Sequence, residues 1–281
     1  DGPAGRNSGF MIDLPHDLTS ANYGGRLDAD LDQTQDNRLG ITHASEMATE
    51  YHLSNEAFSL CGKINGAATA KGRAHNKNFA KHLTAMGEPY ESFDTQQMRE
   101  ITGSSYYRGG LFTPGTAMIQ PAMYIRGVAD GLRQDGVTIY ENSPVTALNN
   151  DGNWVAETPQ GQVSSSHVIL AVNGHINSFG YAKSRLMHVF TYASMTRALT
   201  PQEIGKLGGN PVWGLTPADP VGTTVRRISG TGGDRLIIRN RFTFDPTMEV
   251  NPKRIAKIGN DHDTSFLHRF PDLSNVTMEY R

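Results

Sequence analysis

Apolar positions recur along this chain with two spacings, and the points where one gives way to the other mark its elements. After a loop rich in Gly, Asp, Asn and Arg, "LDADLDQTQDNRL" reads as a polar helix, and Ile41, Ala44, Met47, Ala48 and Tyr51 are then spaced for one helical face. A strand is expected at "SLCGKING". In "AHNKNFAKHLTAMG", Phe79, Leu83 and Met86 share a side and Gly87 supplies the stop. Asp94 followed by Gln97 has the spacing of a capping box and starts a short helix. Gly109, Gly110 and Pro114-Gly115 break "YYRGGLFTPGTAMIQP" into a strand and a loop. Pro121 then suits a first helical turn, where its missing N–H costs nothing.

Past that helix the spacing shortens. "VTIYEN" is β-branched and strand-like, and the turn signals Asn150-Asp151-Gly152 and Pro159-Gln160-Gly161 separate three short strands. "HVILAVNG" reads as a strand buried on both faces. Helix, strand, meander and buried strand form the expected second half of a doubly wound nucleotide-binding domain. From Arg185 onward, "RLMHVFTYASMTRAL", "PVWGLTP", "GTTVRRI" and "RLIIRNRFTF" predict an antiparallel sheet, with "SGTGGD" as the hairpin between the last two. A helix ending near Pro271 closes the pattern.

Composition narrows the classes of function. With 281 residues, 37% hydrophobic and 19% charged, the chain can bury a core large enough for two subdomains. A net charge of -2 provides no field for phosphate backbones, so a small molecule is expected as partner rather than nucleic acid. "VILAV" is the longest apolar run and is far short of the roughly 20 residues a membrane span needs. The single cysteine, Cys61, sits among apolar neighbours, which predicts a buried thiol in a reducing compartment and points to the cytoplasm.

Among the motifs, "DADLD" has Gln33 and Leu39 where a calcium loop needs Gly and Glu, and reads as a solvated helix face. His75, His82 and the "DHD" at Asp261–Asp263 match no zinc spacing and read as surface histidines, so no metal is expected. No G-x-S-x-G elbow or Walker A loop is present. "GRNSGF" at the start places Arg and Asn between glycines, residue types that bond phosphate, ribose or a heteroaromatic edge where backbone approaches closely. Arg226 and Arg227 lie on one expected strand, and Arg235, Arg239 and Arg241 on its partner. Alternation aims Arg239 and Arg241 the same way, as a clamp for a substrate carboxylate with Phe242 or Phe244 as an apolar wall, or as part of a solvated face.

Together, "GRNSGF", "KGRAHNKNFAKHL", "YYRGGLFTPGTAMIQPAMYIRGVADGL", "GVTIYENSPVTAL", "VILAVNG" and "RLMHVFTYASMTRAL" resemble the FAD-dependent oxidoreductases of the D-amino-acid oxidase superfamily, nearest the bacterial branch around gamma-glutamylputrescine oxidase. The resemblance runs over essentially the whole chain. It implies an α/β fold in which a partial doubly wound FAD-binding domain (1–40 and 111–175) accompanies a substrate domain with an antiparallel sheet (41–110 and 176–281). It also implies an internal fragment, since members open with a G-x-G-x-x-G unit and close with a glycine-rich segment over the flavin, and neither is present.

Carried over by position, Arg6, Asn7, Ser8 and Gly9 match the loop beside the flavin. Val145 matches a backbone contact to the adenine, and Ala171 and Gly174 match a strand end passing the cofactor. The implied reaction is oxidation of a C–N bond in an amine or amino acid, with hydride passing to flavin N5 and hydrolysis of the imine; no catalytic side chain is assigned. Two alternatives stand beside it: a non-catalytic domain without flavin, and a flavin dehydrogenase of a hydroxy acid. A sheet lacking a central strand further predicts self-association through an exposed edge.

Overall fold

The computed structural model describes residues 2–15, 23, 25–219 and 222–281. In chain order, β1 (Phe10–Met11) and α1 (Leu27–Glu50) lead to β2 (Phe58–Leu60), β3 (Lys63–Ala67) and α2 (Ala70–Met86). Next come β4 (Glu91–Phe93), α3 (Thr95–Thr102), β5 (Gly109–Thr113), β6 (Ala117–Ile119) and α4 (Pro121–Gln134). A meander of β7 (Ala147–Asp151), β8 (Asn153–Thr158) and β9 (Gly161–Ser165) precedes β10 (Val189–Thr196), α5 (Pro201–Leu207), β11 (Trp213–Pro217) and β12 (Thr224–Ile228). The chain ends with β13 (Arg235–Phe244), α6 (Pro252–Arg269) and β14 (Met278–Tyr280). Two compact units result, one of Asp1–Gly131, Thr191–Arg241 and Pro252–Arg281, the other of Leu132–Phe190 and Phe242–Asn251.

The first unit is built on an eight-stranded sheet of order β14-β10-β13-β12-β11-β3-β5-β4. β11 and β3 pair in parallel, while β14 with β10, β13 with β12, β12 with β11, β3 with β5 and β5 with β4 pair antiparallel, so the expected antiparallel sheet is present and the class is mixed α/β. Register decides what each face carries, because residues opposite one another share a face. Ile64, Leu215, Val225, Leu236 and Ile238 point to one side, where Met98 of α3, Leu207 of α5 and Phe266 of α6 close the main core. On the other side Leu111 packs with Phe79 and Leu83 of α2. A small sheet of order β1-β6-β2 rests on α1 through Phe58 and Ala117 against Ile41, Ala44 and Ala48.

Local chemistry explains most boundaries. Asp94 accepts from the Gln97 amide at 2.9 Å while the Gln97 side chain accepts from the Asp94 amide at 2.9 Å, the reciprocal cap expected at α3. Asp94→Ala is expected to cost about 1 kcal/mol in a urea titration, since one helix-end donor loses its acceptor. The single strand expected at "SLCGKING" is split in two by Gly62, whose φ of 73° turns the chain out of extended geometry. The two helical stretches expected before residue 60 are one helix, α1, which runs through Gly40.

Two further expectations do not hold. "VTIYEN" and "VILAV" form no strand, and Ile169, expected to be buried on both faces, is 91% exposed. A parallel strand exists only where neighbours take its backbone N–H and C=O groups. Neither segment has a ladder partner among the described residues. The meander of the second unit does form, in the order β7-β8-β9 that the turn residues imply.

Candidate functional site

The glycine loop "GRNSGF" belongs to the first unit. Asn7 folds it upon itself: its Nδ2 donates to the Ala4 carbonyl at 2.9 Å and its Oδ1 accepts from the Gly9 amide at 2.8 Å. Gly9 takes a φ of 74° and is buried. A Cβ there would stand 2.1 Å from Arg226 Nη1 and 2.3 Å from the Ile119 carbonyl, so only glycine fits. Arg6 is exposed and makes no hydrogen bond or ion pair among the described residues.

Behind the loop stands the sheet face opposite the main core. Arg226 lies across from Ile237 and Arg239 across from Thr224, so both arginines share this face. Lys63 and Asn65 of β3 and Thr216 of β11 continue it. Lys63 is buried, donates to Asn65 Oδ1 at 2.5 Å, and burial lowers its pKa to about 8 against the attraction of Asp13. Burial also lowers the Arg226 guanidinium, to about 10.

The arginines of this sheet sort themselves by partner. Arg227 pairs with Asp234 at 3.0 Å, Arg235 with Glu279 at 2.6 Å and Arg241 with Asp261 at 3.0 Å. Arg239 is half-buried, its pKa is lowered by burial, and it has no polar partner among the described residues. The alternation that aimed Arg239 and Arg241 the same way breaks at Arg241, whose φ of 65° takes it out of strand geometry and to Asp261 on α6. Helix α6 covers the core face, so the expected two-arginine clamp is not assembled, and Arg239 stays on the opposite face without Arg241.

Val145, Ala171 and Gly174 fall in the second unit. Val145 is 41% exposed and Ala171 is exposed. Gly174 is close to His188 and Met248, at 3.0 and 3.2 Å from a Cβ built there. Phe242 and Phe244, expected as an apolar wall, are also in this unit and stand 66% and 55% exposed.

Other candidates have structural roles. His82, read as a surface residue, is buried and bonds Asp30 at 2.9 Å, with Tyr23 stacked on its ring at 4.7 Å. His262 is buried as well, between Ser194 Oγ at 2.7 Å and the Asn240 carbonyl at 3.2 Å, and burial lowers its pKa. Asp263 pairs with Arg281. Tyr107 accepts from Arg269 Nε at 3.2 Å inside the core, and burial pushes its hydroxyl up to about 12. Cys61, expected to be buried, is exposed, because the Gly62 turn lifts it out of the strand. Sequence reasoning missed the contact between Arg226 and the loop. Its one signal was the pair Arg226-Arg227, which on a strand must put one guanidinium on each face.

Residues 2–281 match the family model described as FAD dependent oxidoreductase. A probable oxidoreductase, OrdL, of Rhizobium meliloti is 27% identical over 215 residues, 72% of this chain and 49% of that protein. The gamma-glutamylputrescine oxidoreductase of Escherichia coli is 33% identical over 86 residues, 31% of this chain and 20% of that protein. Among solved structures, glycine oxidase from Geobacillus kaustophilus superposes with a TM-score of 0.69 at 16% identity, covering 99% of this chain and 70% of that one, a likeness of fold. The chain thus spans about half the length of the curated OrdL protein it matches. With the family model matched across nearly every residue, the chain belongs to the FAD-dependent oxidoreductases.

Proposed function

We propose that the protein oxidises a C–N bond of an amine or amino acid, that Arg6, Asn7, Ser8, Gly9, Val145, Ala171 and Gly174 border FAD, and that Arg239 receives a substrate carboxylate. The observation that carries this is Arg239 itself: a half-buried cation on an open sheet face with no acid among the described residues. A guanidinium so placed has lost hydration without gaining a counter-charge, and a bidentate carboxylate restores both. Arg241 is left out of this role because Asp261 already holds it.

The loop suits the cofactor in its donors. Arg6 offers a guanidinium without a partner among the described residues and Ser8 a hydroxyl, while Asn7 spends its side chain on the loop's own backbone. FAD, when bound, supplies the hydride acceptor. The chain's own contribution is to orient the substrate through Arg239 and to hold the loop at fixed geometry. Residues 1–40 and 111–175 form the cofactor part in this reading, and 41–110 and 176–281 the substrate part.

No helix among the described residues is long and apolar enough to cross a membrane. A cytoplasmic location fits that finding, and self-association is assigned to the open edges at β4 and β14.

Purified protein incubated with FAD and desalted should retain the visible flavin spectrum and turn over amino acids faster than amines lacking a carboxylate. Arg239→Met should raise KM for the carboxylate substrate about 10- to 100-fold, the loss of one charge-assisted pair. Retained flavin with equal turnover of both substrate classes, unaffected by Arg239→Met, would sink the carboxylate assignment.

A further inference from the structure

Three backbone carbonyls converge on a single nitrogen. Arg226 Nη1 lies 2.5 Å from the Ile119 oxygen, 3.2 Å from that of Gly9 and 3.3 Å from that of Ser8. Nη1 carries two hydrogens for three carbonyls, so at least one hydrogen is shared. The Ile119 amide in turn donates to the Gly9 oxygen at 2.9 Å, closing a ring of contacts between β6 and the loop.

Arg226 is 6% exposed, and among the described residues no carboxylate bonds it and its Nε has no acceptor. A buried charge without an acid is costly, and structural arginines elsewhere in this sheet avoid that cost with Asp or Glu. Arg226 instead spends its charge on carbonyl dipoles at one place, the turn at Ser8–Gly9. Arg6 and Asn7, which precede the held carbonyls, are exposed. Gly9 has no room for a side chain, since even a methyl group would meet Nη1 and the Ile119 oxygen.

We propose that Arg226 is the positioning residue of the cofactor loop: from β12 it pins the Ser8, Gly9 and Ile119 carbonyls and so fixes the geometry in which the loop meets the flavin. This rests on the reading that the loop borders FAD. It adds a residue remote in sequence, which touches neither substrate nor cofactor.

The test compares the wild-type chain with Arg226→Met and Arg226→Lys. Hydrogen exchange is followed without FAD in peptides covering residues 7–11 and 117–120, and FAD affinity is read from flavin fluorescence. In Arg226→Met, exchange at Gly9 and Ile119 should accelerate at least about ten-fold and the FAD Kd should rise by a similar factor. Arg226→Lys should recover part of both. Peptides covering β11 should exchange as in the wild type, which separates loop release from general loosening.

Unchanged exchange in the loop peptides overturns the proposal. Faster loop exchange with unaltered FAD affinity overturns the link to the cofactor while leaving the pin itself. A wild-type chain that binds no FAD defeats the functional reading instead, and the exchange comparison then decides the pin alone. Should Arg226→Met fail to fold, Arg226→Lys carries the same comparison, because its ammonium reaches fewer of the three oxygens.

Discussion

Asp234→Ala should destabilise the protein by about 3–5 kcal/mol, the cost of leaving a buried arginine without its acid. Arg227 points into the main core, opposite Leu236 and beside Trp213, and its side chain is 2% exposed. Asp234 Oδ1 accepts from Arg227 Nε at 3.1 Å and from Nη2 at 3.0 Å, and Oδ2 accepts from Ser229 at 3.0 Å. Nη1 reaches the Gly208 carbonyl at 2.5 Å, which anchors the end of α5. Removing the carboxylate leaves the buried charge with the Gly208 carbonyl and, among the described residues, no other acid bonded to it. The double variant Arg227→Met with Asp234→Ala should recover most of the loss, because the pair's own net contribution is small once both charges are gone. Urea midpoints for the three variants decide the matter. A loss below about 1 kcal/mol in the single variant would mean that water or another group replaces Asp234.

A second large effect is expected at Lys63, and it carries a pH signature. Its pKa falls from 10.5 to about 8 on folding, chiefly because burial disfavours the charged form. Between those two values the unfolded chain holds a proton that the folded chain has released. Raising the pH therefore favours the folded state, and stability should climb from about pH 8 to about pH 10.5. Below about pH 8 the folded protein bears the whole penalty, on the order of 3 kcal/mol. Lys63→Met removes the penalty. Asn65 and Thr216 keep each other's bond at 2.7 Å, so no new orphan is made there. The Met variant should be more stable at pH 7 and lack the rise at alkaline pH. A wild-type stability curve that is flat over that interval would contradict the burial argument.

What the sequence reveals and what it hides divide along contact range. The cap of α3 is legible because Asp94 and Gln97 are three residues apart, and the β12–β13 hairpin because "SGTGGD" joins two alternating runs. The pair Asp30 and His82 is not legible, since 52 residues separate them and each alone reads as solvated. "VTIYEN" and "VILAV" mislead for a related reason: β-branched residues record a preference for strand, while the strand itself requires neighbours. In the candidate site, the glycine loop is visible as a pattern. The arginine behind it is 217 residues from Gly9, and Arg241 leaves its expected face through one backbone angle.

Helix α1 has a mechanical consequence. Its 24 residues make a rod about 36 Å long. Near one end Asp30 is fastened to His82 of α2, and farther along Ile41, Ala44 and Ala48 bear on the small sheet that includes β1 and β6. From Asp30 to Ala44 the arm is about 21 Å, so a tilt of about 3° at the fastening would move the far contact by about 1 Å. A displacement of that size exceeds the slack of a packed core. The Asp30–His82 bond therefore acts as the fulcrum of a lever whose load is the sheet carrying Phe10, which follows the pinned turn, and Ile119, whose carbonyl Arg226 also holds.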